Sequence, residues 1–263
     1  MPEMEAHPVL PRMIGETITT PSPNLPGSTL YSHRDWVVVK KLSEHQRPVT
    51  PYGFDDEMGP AYTAGKYLCR LAGSRDHNKL AFMRIYEQIP LVGTELDNFG
   101  VRKAQVSKPR DHVELHALKH ITKKRCTTTP KLLGYQIDKQ DKNDFVPGRY
   151  SIHLMWKNVR GYYPLNIEEF WSLPYSRRES IREKFKMADT EVFRFGYELS
   201  RTTTSKISKV SGFRRADRIS PDTKWNDYNF VRCLLVLNSP ARYKYLSIKA
   251  KDLKGEQDGH WEW

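Results

Sequence analysis

The chain has 263 residues, a formal net charge of +12 and 38% hydrophobic residues, with 6 Trp, 14 Tyr and 10 Phe. This composition favours a folded protein, long enough for one large domain or two lobes, and no apolar run reaches the length of a bilayer span. The N-terminus lacks the apolar core of a secretory signal, and the three distant cysteines suit a reducing compartment. We therefore expect an intracellular protein, in the cytoplasm or the nucleus.

Residues 1–50 are rich in Pro, Thr and Ser, a composition typical of loops and flexible tails. Their one apolar patch, Trp36–Val39, predicts a short strand or a partner-binding segment. We expect the remainder of these fifty residues to form loops, so that the N-terminal segment is flexible or only partly ordered.

An antiparallel hairpin is predicted next, from the apolar runs Tyr67–Leu71 and Leu80–Tyr86 and the Gly, Asp and Asn residues between them. Gly59 to Gly65 is a candidate turn ahead of it. Pro90–Arg110 is predicted to be a polar insert, with a loop at residues 92–100.

The following stretch predicts a helix and two more strands. Asp111 is placed to cap the helix, Glu114 completes a capping box, and the apolar residues recur at helical spacing: Leu115, Leu118 and Ile121. Lys131–Asp138 and Tyr150–Trp156 are predicted strands around a charged turn.

The second half of the chain is predicted to be helical. Ser176 and Glu179 form a second capping box before a long helix. Its apolar stripe predicts core packing and comprises Ile181, Phe185, Ala188, Val192 and Phe195. The opposite side is expected to be polar, with Arg182, Lys184 and Asp189. One further apolar helix or strand is predicted at Phe230–Leu237.

One cation and one carboxylate stand in an arrangement that protein kinases use. Arg84 lies on a predicted strand and Glu114 on the next helix, as do the phosphate-binding lysine and its partner glutamate in kinases. The sequence around them, AFMRIYEQIP and then ELHALKHIT with TPKLLGY, resembles fungal kinase-like proteins related to protein kinases and aminoglycoside phosphotransferases. The resemblance covers roughly Pro51 to Phe213.

The resemblance implies an α+β fold of the two-lobed protein-kinase type. Residues 51–156 would form a small N-lobe built on an antiparallel sheet, and residues 157–263 would form a shortened helical C-lobe. In that arrangement Arg84 would contact nucleotide phosphate and pair with Glu114. Three residues at the lobe connection would face the base: Met155, Trp156 and Lys157.

The chain departs from the kinase pattern at several of these positions. Its glycines do not match the G-x-G-x-x-G spacing of a phosphate-covering loop. Arg84 keeps the charge of the expected lysine but is bulkier. The family pattern has an acidic residue after the tryptophan, where this chain has Lys157. ATP and Mg²⁺ are ligands that the resemblance implies and that the motifs do not support.

The catalytic motifs are missing. Kinases supply a base and two metal ligands through H-R-D-x-x-x-x-N and D-F-G, yet Ser200–Phe213 contains no Asp, Asn, His or Glu. Gly212 and Phe213 take the place of the metal-binding D-F-G segment. The carboxylates nearby are Glu198 and, just beyond, Asp217 and Asp222, and the candidates are Glu198 and Asp217. Without metal ligands the developing phosphate charge would not be neutralised.

These observations predict a pseudokinase-type binding or scaffold module, with a protein partner that the sequence does not identify and nucleotide as a second candidate ligand. One alternative is an active, atypical ATP-dependent phosphotransferase that uses Glu198 or Asp217. A second is a basic binder of nucleic acid or phospholipid, although no zinc finger, RNP motif or helix-turn-helix accompanies the charge. A defective gene model would also explain the missing motifs.

Overall fold

The computed structural model describes residues 9–21, 33–73, 80–105, 112–158, 166–199, 203–204, 210–211, 213–220 and 222–237. These residues combine α-helices with antiparallel sheets, which confirms the predicted α+β class. The chain divides into two compact units, the first made of Met1–Asp111 with Leu132–Asn158 and the second of His112–Lys131 with Val159–Trp263. Within the described ranges, no helix has the length and apolar content needed to cross a membrane.

The first unit is built on a six-stranded sheet in which every neighbouring pair is antiparallel. Its strands, in chain order, are β1 (Thr17–Pro21), β2 (His33–Arg47), β3 (Tyr62–Leu71), β4 (Leu80–Gln88), β5 (Leu132–Lys139) and β6 (Tyr150–Lys157). The spatial order is β1-β2-β3-β4-β6-β5. Two short helices, α1 (Pro51–Asp55) and α2 (Phe99–Ala104), lie in the connections and are capped by Thr50 and Asn98.

The predicted strands form, and several are longer than expected. The hairpin of β3 and β4 and the strands β5 and β6 are confirmed. The patch Trp36–Val39 is part of β2, a strand of fifteen residues, so the loop expected after Val39 was wrong up to Arg47. Pairing with β3 along this length explains the difference, because polar residues on an otherwise exposed face still contribute ladder hydrogen bonds.

The glycine turn expected at Gly59–Gly65 was also wrong in part, since Gly65 lies inside β3. A Cβ at Gly65 would lie 2.6 Å from Leu10 Cδ1, so this glycine allows the N-terminal segment to cross the sheet closely. Leu10 belongs to a buried core on that face of the sheet, together with Ile18, Trp36, Val38, Tyr67, Cys69, Ala81, Met83, Ile85 and Met155.

The two edge strands of this sheet approach each other. A Cβ at Gly134 in β5 would lie 2.5 Å from Thr20 Oγ1 and 2.9 Å from the backbone oxygen of Pro21 in β1. Trp36 Nε1 donates a hydrogen bond to the same Thr20 Oγ1 at 3.0 Å. The sheet therefore curls around its core, and a residue without a side chain is required where β5 passes β1.

The second unit contains four helices and two small antiparallel pairs among its described residues. The helices are α3 (Val113–Lys123), α4 (Ile167–Ser172), α5 (Tyr175–Arg194) and α6 (Tyr228–Arg232), and a 3₁₀ turn spans Phe213–Arg215. The strands are β7 (Tyr197–Leu199), β8 (Thr203–Thr204), β9 (Val210–Ser211) and β10 (Ala216–Arg218), with β7 paired to β10 and β8 to β9.

The predicted apolar face of α3 is confirmed, because Leu115, Leu118 and Ile121 are all buried. His112 occupies the N-cap position and makes no side-chain capping bond. Asp111, the predicted cap, lies outside the described residues.

Two expectations for the long helix were wrong. Ser176 does not cap α5, which begins at Tyr175 after Pro174. The side expected to be polar is buried at Arg182 and Asp189, with 1% and 2% exposure. Arg182 Nε donates to the Leu235 carbonyl at 2.8 Å, and its guanidinium lies over the rings of Phe170, Trp171 and Tyr175. The helix is covered on more than one side, which an apolar stripe alone does not reveal.

Candidate functional site

Arg84 lies in the middle of β4, on the sheet face opposite the buried core. Alternation along the strand points Met83 and Ile85 into the core and Phe82 and Arg84 to the other face. The cross-strand partner of Arg84 is Lys66 on β3, so two cations stand side by side. The sequence pointed to Arg84. It did not point to Lys66, because the position of Lys66 opposite Arg84 depends on the strand register.

Each of these cations packs over an aromatic ring. Lys66 Nζ lies 4.2 Å from the centre of the Phe82 ring, and the Arg84 guanidinium lies 5.5 Å from that of Trp156. The two rings are themselves 6.1 Å apart and tilted. The cluster, called here the cation–aromatic cluster, is thus made of Lys66, Phe82, Arg84 and Trp156, all on one face.

The other residues predicted to surround a nucleotide are distributed over both units. Glu114 is buried in α3, in the second unit, whereas Arg84 belongs to the first, and their pairing stays a prediction. Met155 and Trp156 are buried in β6, with Met155 in the sheet core, while Lys157 is exposed at the strand end. Their contact with a base also stays a prediction.

The two candidate carboxylates come together in the second unit. Glu198 on β7 and Asp217 on β10 are direct cross-strand neighbours. Arg232, at the end of α6, forms a close ion pair with Glu198 and approaches Asp217 Oδ2 at 3.8 Å. The sequence did not reveal this arginine, because it lies more than thirty residues after Glu198 and reaches it only through the fold.

Asp189 on α5 is a third carboxylate near this pair. The pKa of Asp189 is raised to about 6, mainly by burial. The hydrogen bond from Trp225 and the charge of Arg232 oppose this rise, and the charge of Glu198 adds to it. Trp225 Nε1 donates to Asp189 Oδ2 at 2.9 Å, and Asp189 Oδ1 has no hydrogen-bond partner. The contact joins α5 to the segment before α6.

Phe213, which the resemblance aligns with D-F-G, is buried in the 3₁₀ turn at 2% exposure and packs in the second unit. Gly212 lies outside the described residues. Across the described ranges, no group of three or more His, Cys, Asp or Glu side chains is placed to hold a metal ion.

A polar cluster inside the curled sheet was missed by the sequence reading. Ser151 Oγ lies 3.2 Å from Glu87 Oε1 and 3.3 Å from His153 Nε2, so a carboxylate, a hydroxyl and an imidazole are linked in a row. Burial raises the pKa of Glu87 to about 7, against the hydrogen bond from Ser151, and burial lowers the pKa of His153 to about 4. The sequence signal for this cluster was the presence of polar residues at core-facing positions of predicted strands.

Glu44 on β2 fixes the N-terminal segment beside this cluster. Its carboxylate accepts hydrogen bonds from the Val9 and Leu10 amides, from Thr63 Oγ1 at 2.7 Å and from Lys41 Nζ at 2.6 Å. Burial raises the pKa of Glu44, but these hydrogen bonds together outweigh it and leave the pKa below its ordinary value. The site is structural: it ties residues 9–10 to the sheet.

No protein-family model matches the chain, and no curated protein matches it. Function is therefore inferred from the geometry and from the sequence motifs.

Proposed function

We propose that the protein is a kinase-like binding module that does not catalyse phosphoryl transfer. The observation that carries this proposal is the composition of Ser200–Phe213, the stretch that follows the long helix α5 and β7 in the sequence: it contains no Asp, Asn, His or Glu. The motif H-R-D-x-x-x-x-N supplies the catalytic aspartate and a metal-binding asparagine in kinases. This stretch has neither residue.

The order of elements supports kinase-like ancestry. Strand β4, which carries Arg84, lies inside an antiparallel sheet and not at its edge. Helices follow it in the chain, and the next two strands extend the sheet beyond β4 in the spatial order β6 and then β5. In the second unit, β7 follows the long helix α5 in the chain. Strand β7 pairs with β10, and the two strands between them in the sequence, β8 and β9, pair with each other. Gly212 and Phe213, which the resemblance aligns with D-F-G, follow β9 in the sequence.

The remaining carboxylates support the loss of catalysis. Glu198 and Asp217 share Arg232, so their charges serve a structural ion pair between β7, β10 and α6. Phosphoryl transfer needs a carboxylate that is available to the attacking hydroxyl and further ligands that hold Mg²⁺. Glu198 is engaged by Arg232, and among the described residues no group of three or more His, Cys, Asp or Glu side chains is placed to hold a metal ion.

The test is turnover of ATP by the purified full chain with Mg²⁺, measured as phosphate release and as transfer to a generic protein substrate. We expect no turnover above the buffer rate, and the same result for Glu198→Gln and Asp217→Asn. Mg²⁺-dependent turnover that either variant abolishes would overturn the proposal in favour of an atypical phosphotransferase. An EDTA control separates that activity from a contaminating metal-independent hydrolase.

A further inference from the structure

We propose that one end of the first unit is a docking surface for a basic amphipathic segment of a partner protein. The surface is made of residues 51–58 and 91–101 and is called here the acidic–apolar surface. The inference goes beyond the proposed function by naming a class of partner, and the observations that carry it do not involve the kinase-like motifs.

A small apolar core anchors both segments of this surface. Its buried members are Val49, Ala61 and Ile89. Phe54 from α1 and Leu91 from the second segment pack against it, and the Val92 amide donates a hydrogen bond to the Val49 carbonyl at 2.9 Å. The two segments therefore share one anchor, at the end of the sheet where β2 and β4 finish and β3 starts.

Side-chain hydrogen bonds fix the second segment. Gln105 accepts a hydrogen bond from the Leu91 amide at 2.9 Å and donates one to Thr94 Oγ1. Asn98 Oδ1 caps α2 by accepting from the Val101 amide at 3.1 Å. A loop that is already ordered loses little conformational freedom when a partner binds. Long ordered loops in compact domains are commonly binding elements.

Exposed apolar side chains are concentrated on this surface. Among the described residues, six of the thirteen large apolar side chains that are exposed belong to it: Tyr52, Met58, Val92, Leu96, Phe99 and Val101. Tyr52 is 81% exposed and Leu96 is 55% exposed. Single exposed apolar residues are ordinary, whereas a group of them within two short segments indicates a surface that another molecule covers.

The same two segments are acidic, in a chain whose net charge is +12. Residues 51–58 and 91–98 contain five carboxylates and no Lys or Arg. The five are all exposed and are Asp55, Asp56, Glu57, Glu95 and Asp97. Within the described ranges, no ion pair involves any of them. Their charges are therefore available to a partner.

Three cations border the surface and are engaged with other groups. Arg47 Nη1 donates to the Met58 carbonyl at 2.9 Å, and Lys103 Nζ lies 5.8 Å from the centre of the Phe99 ring. Arg102 Nη1 donates to two carbonyls in the turn between β5 and β6. The five carboxylates outnumber these three cations, so the surface carries a net negative charge.

Apolar exposure and negative charge together define the partner. A basic amphipathic segment would cover side chains such as Leu96 and Phe99 with its apolar face, and its Lys or Arg residues would meet the carboxylates. The same carboxylates repel the phosphates of nucleic acids and of anionic lipids. The charge therefore favours a basic protein segment over either of those ligands.

The experiment is fluorescence anisotropy of the full chain with a labelled helical peptide of leucine and lysine that carries all its leucines on one face. We expect this peptide to bind. Two altered peptides should not bind, one with glutamate in place of lysine and one with alanine in place of leucine. The first alteration reverses the charge, and the second removes the apolar face.

Two variants test the two properties separately. Leu96→Ser should weaken binding of the leucine–lysine peptide about fivefold or more, because it removes apolar area that the peptide would bury. Glu95→Gln combined with Asp97→Asn should weaken binding about threefold to tenfold in dilute salt and much less at about 500 mM salt, because exposed charges are screened. Thermal unfolding without peptide verifies that each variant folds.

Each variant has a matched control. Ile137→Ser removes an apolar side chain of similar exposure, 58%, from β5. Glu183→Gln combined with Asp222→Asn removes two exposed carboxylates from the second unit. Both controls should bind the peptide within about twofold of the wild-type protein. Equal losses in the test and control variants would reveal a non-specific attraction to the chain and overturn the proposal.

The remaining outcomes assign the surface to another occupant and would overturn the proposal too. Binding to vesicles that contain phosphatidylserine, without binding to the peptide, would indicate contact with a membrane. Self-association in sedimentation that Leu96→Ser abolishes, again without peptide binding, would indicate a second copy of the chain. None of these results bears on ATP turnover, so the failure of this inference and the failure of the proposed function are distinguishable.

Discussion

Two buried side chains, Glu87 and His153, change the stability of the folded protein in opposite directions as the pH changes. The pKa of Glu87 rises from 4.5 to about 7, mainly through burial, with Asp144 and Glu44 adding to the rise and the hydrogen bond from Ser151 opposing it. The folded state therefore favours the protonated acid. Its stabilising contribution is fully present below pH 4.5 and is lost as the pH rises to about 7.

His153 behaves in the opposite way. Its pKa falls from 6.5 to about 4 through burial, which Asp138 partly opposes, so the folded state favours the neutral ring. The contribution of His153 is present above pH 6.5 and is lost as the pH falls towards 4. Since the two windows overlap between pH 4.5 and 6.5, the wild-type protein should show little net slope from this pair there.

Single substitutions should expose each slope. In Glu87→Gln we expect the free energy of unfolding to fall as the pH is lowered from 6.5 to 4, by up to about 3 kcal/mol for a shift of this size. In His153→Gln it should instead rise as the pH is lowered from 7 to 4.5. Urea unfolding of the three proteins across this range measures both slopes. Parallel pH profiles for both variants would contradict the assignment.

At the scale of secondary structure, the closure of the six-stranded sheet depends on Gly134. We expect Gly134→Ala to lower the free energy of unfolding by about 1–3 kcal/mol, because the new Cβ would collide with Thr20 and with the backbone of Pro21. Chemical denaturation measures the loss.

Gly100→Ala is the matched control for that substitution. Gly100 lies in α2, where a Cβ would meet only Asn98 Oδ1 at 3.4 Å, so the change should be neutral or slightly stabilising. Similar losses at both glycines would show that the approach of β1 to β5 is not a tight contact.

Sequence patterns predicted the helices and strands better than they predicted the residues that pack around them. The hairpin of β3 and β4 and the apolar face of α3 follow from periodicity, which is a local property. The burial of Arg182 is not local: it requires the Leu235 carbonyl and the rings around Trp171, which lie elsewhere in the chain. The same is true of Arg232, whose two carboxylate partners are far from it in sequence.

At the scale of the whole molecule, the net charge of +12 is the most general property with a testable consequence. The positive residues are scattered among acids, so we expect only weak, non-specific binding to double-stranded DNA, mediated by few phosphate contacts. Fluorescence anisotropy with a labelled duplex should show binding that disappears between about 50 and 200 mM salt. Tight binding at 200 mM salt would favour a nucleic-acid binder over the module proposed here.

Short-range spacing and residue type predict the α+β class, the positions of most strands and helices and the lack of the catalytic motifs. They do not predict which charges meet in the fold. Lys66 stands beside Arg84 because β3 and β4 pair in one register, and Arg232 pairs with Glu198 although α6 and β7 are far apart in the sequence. Such pairings depend on register and packing over long sequence separations, and no local pattern encodes them.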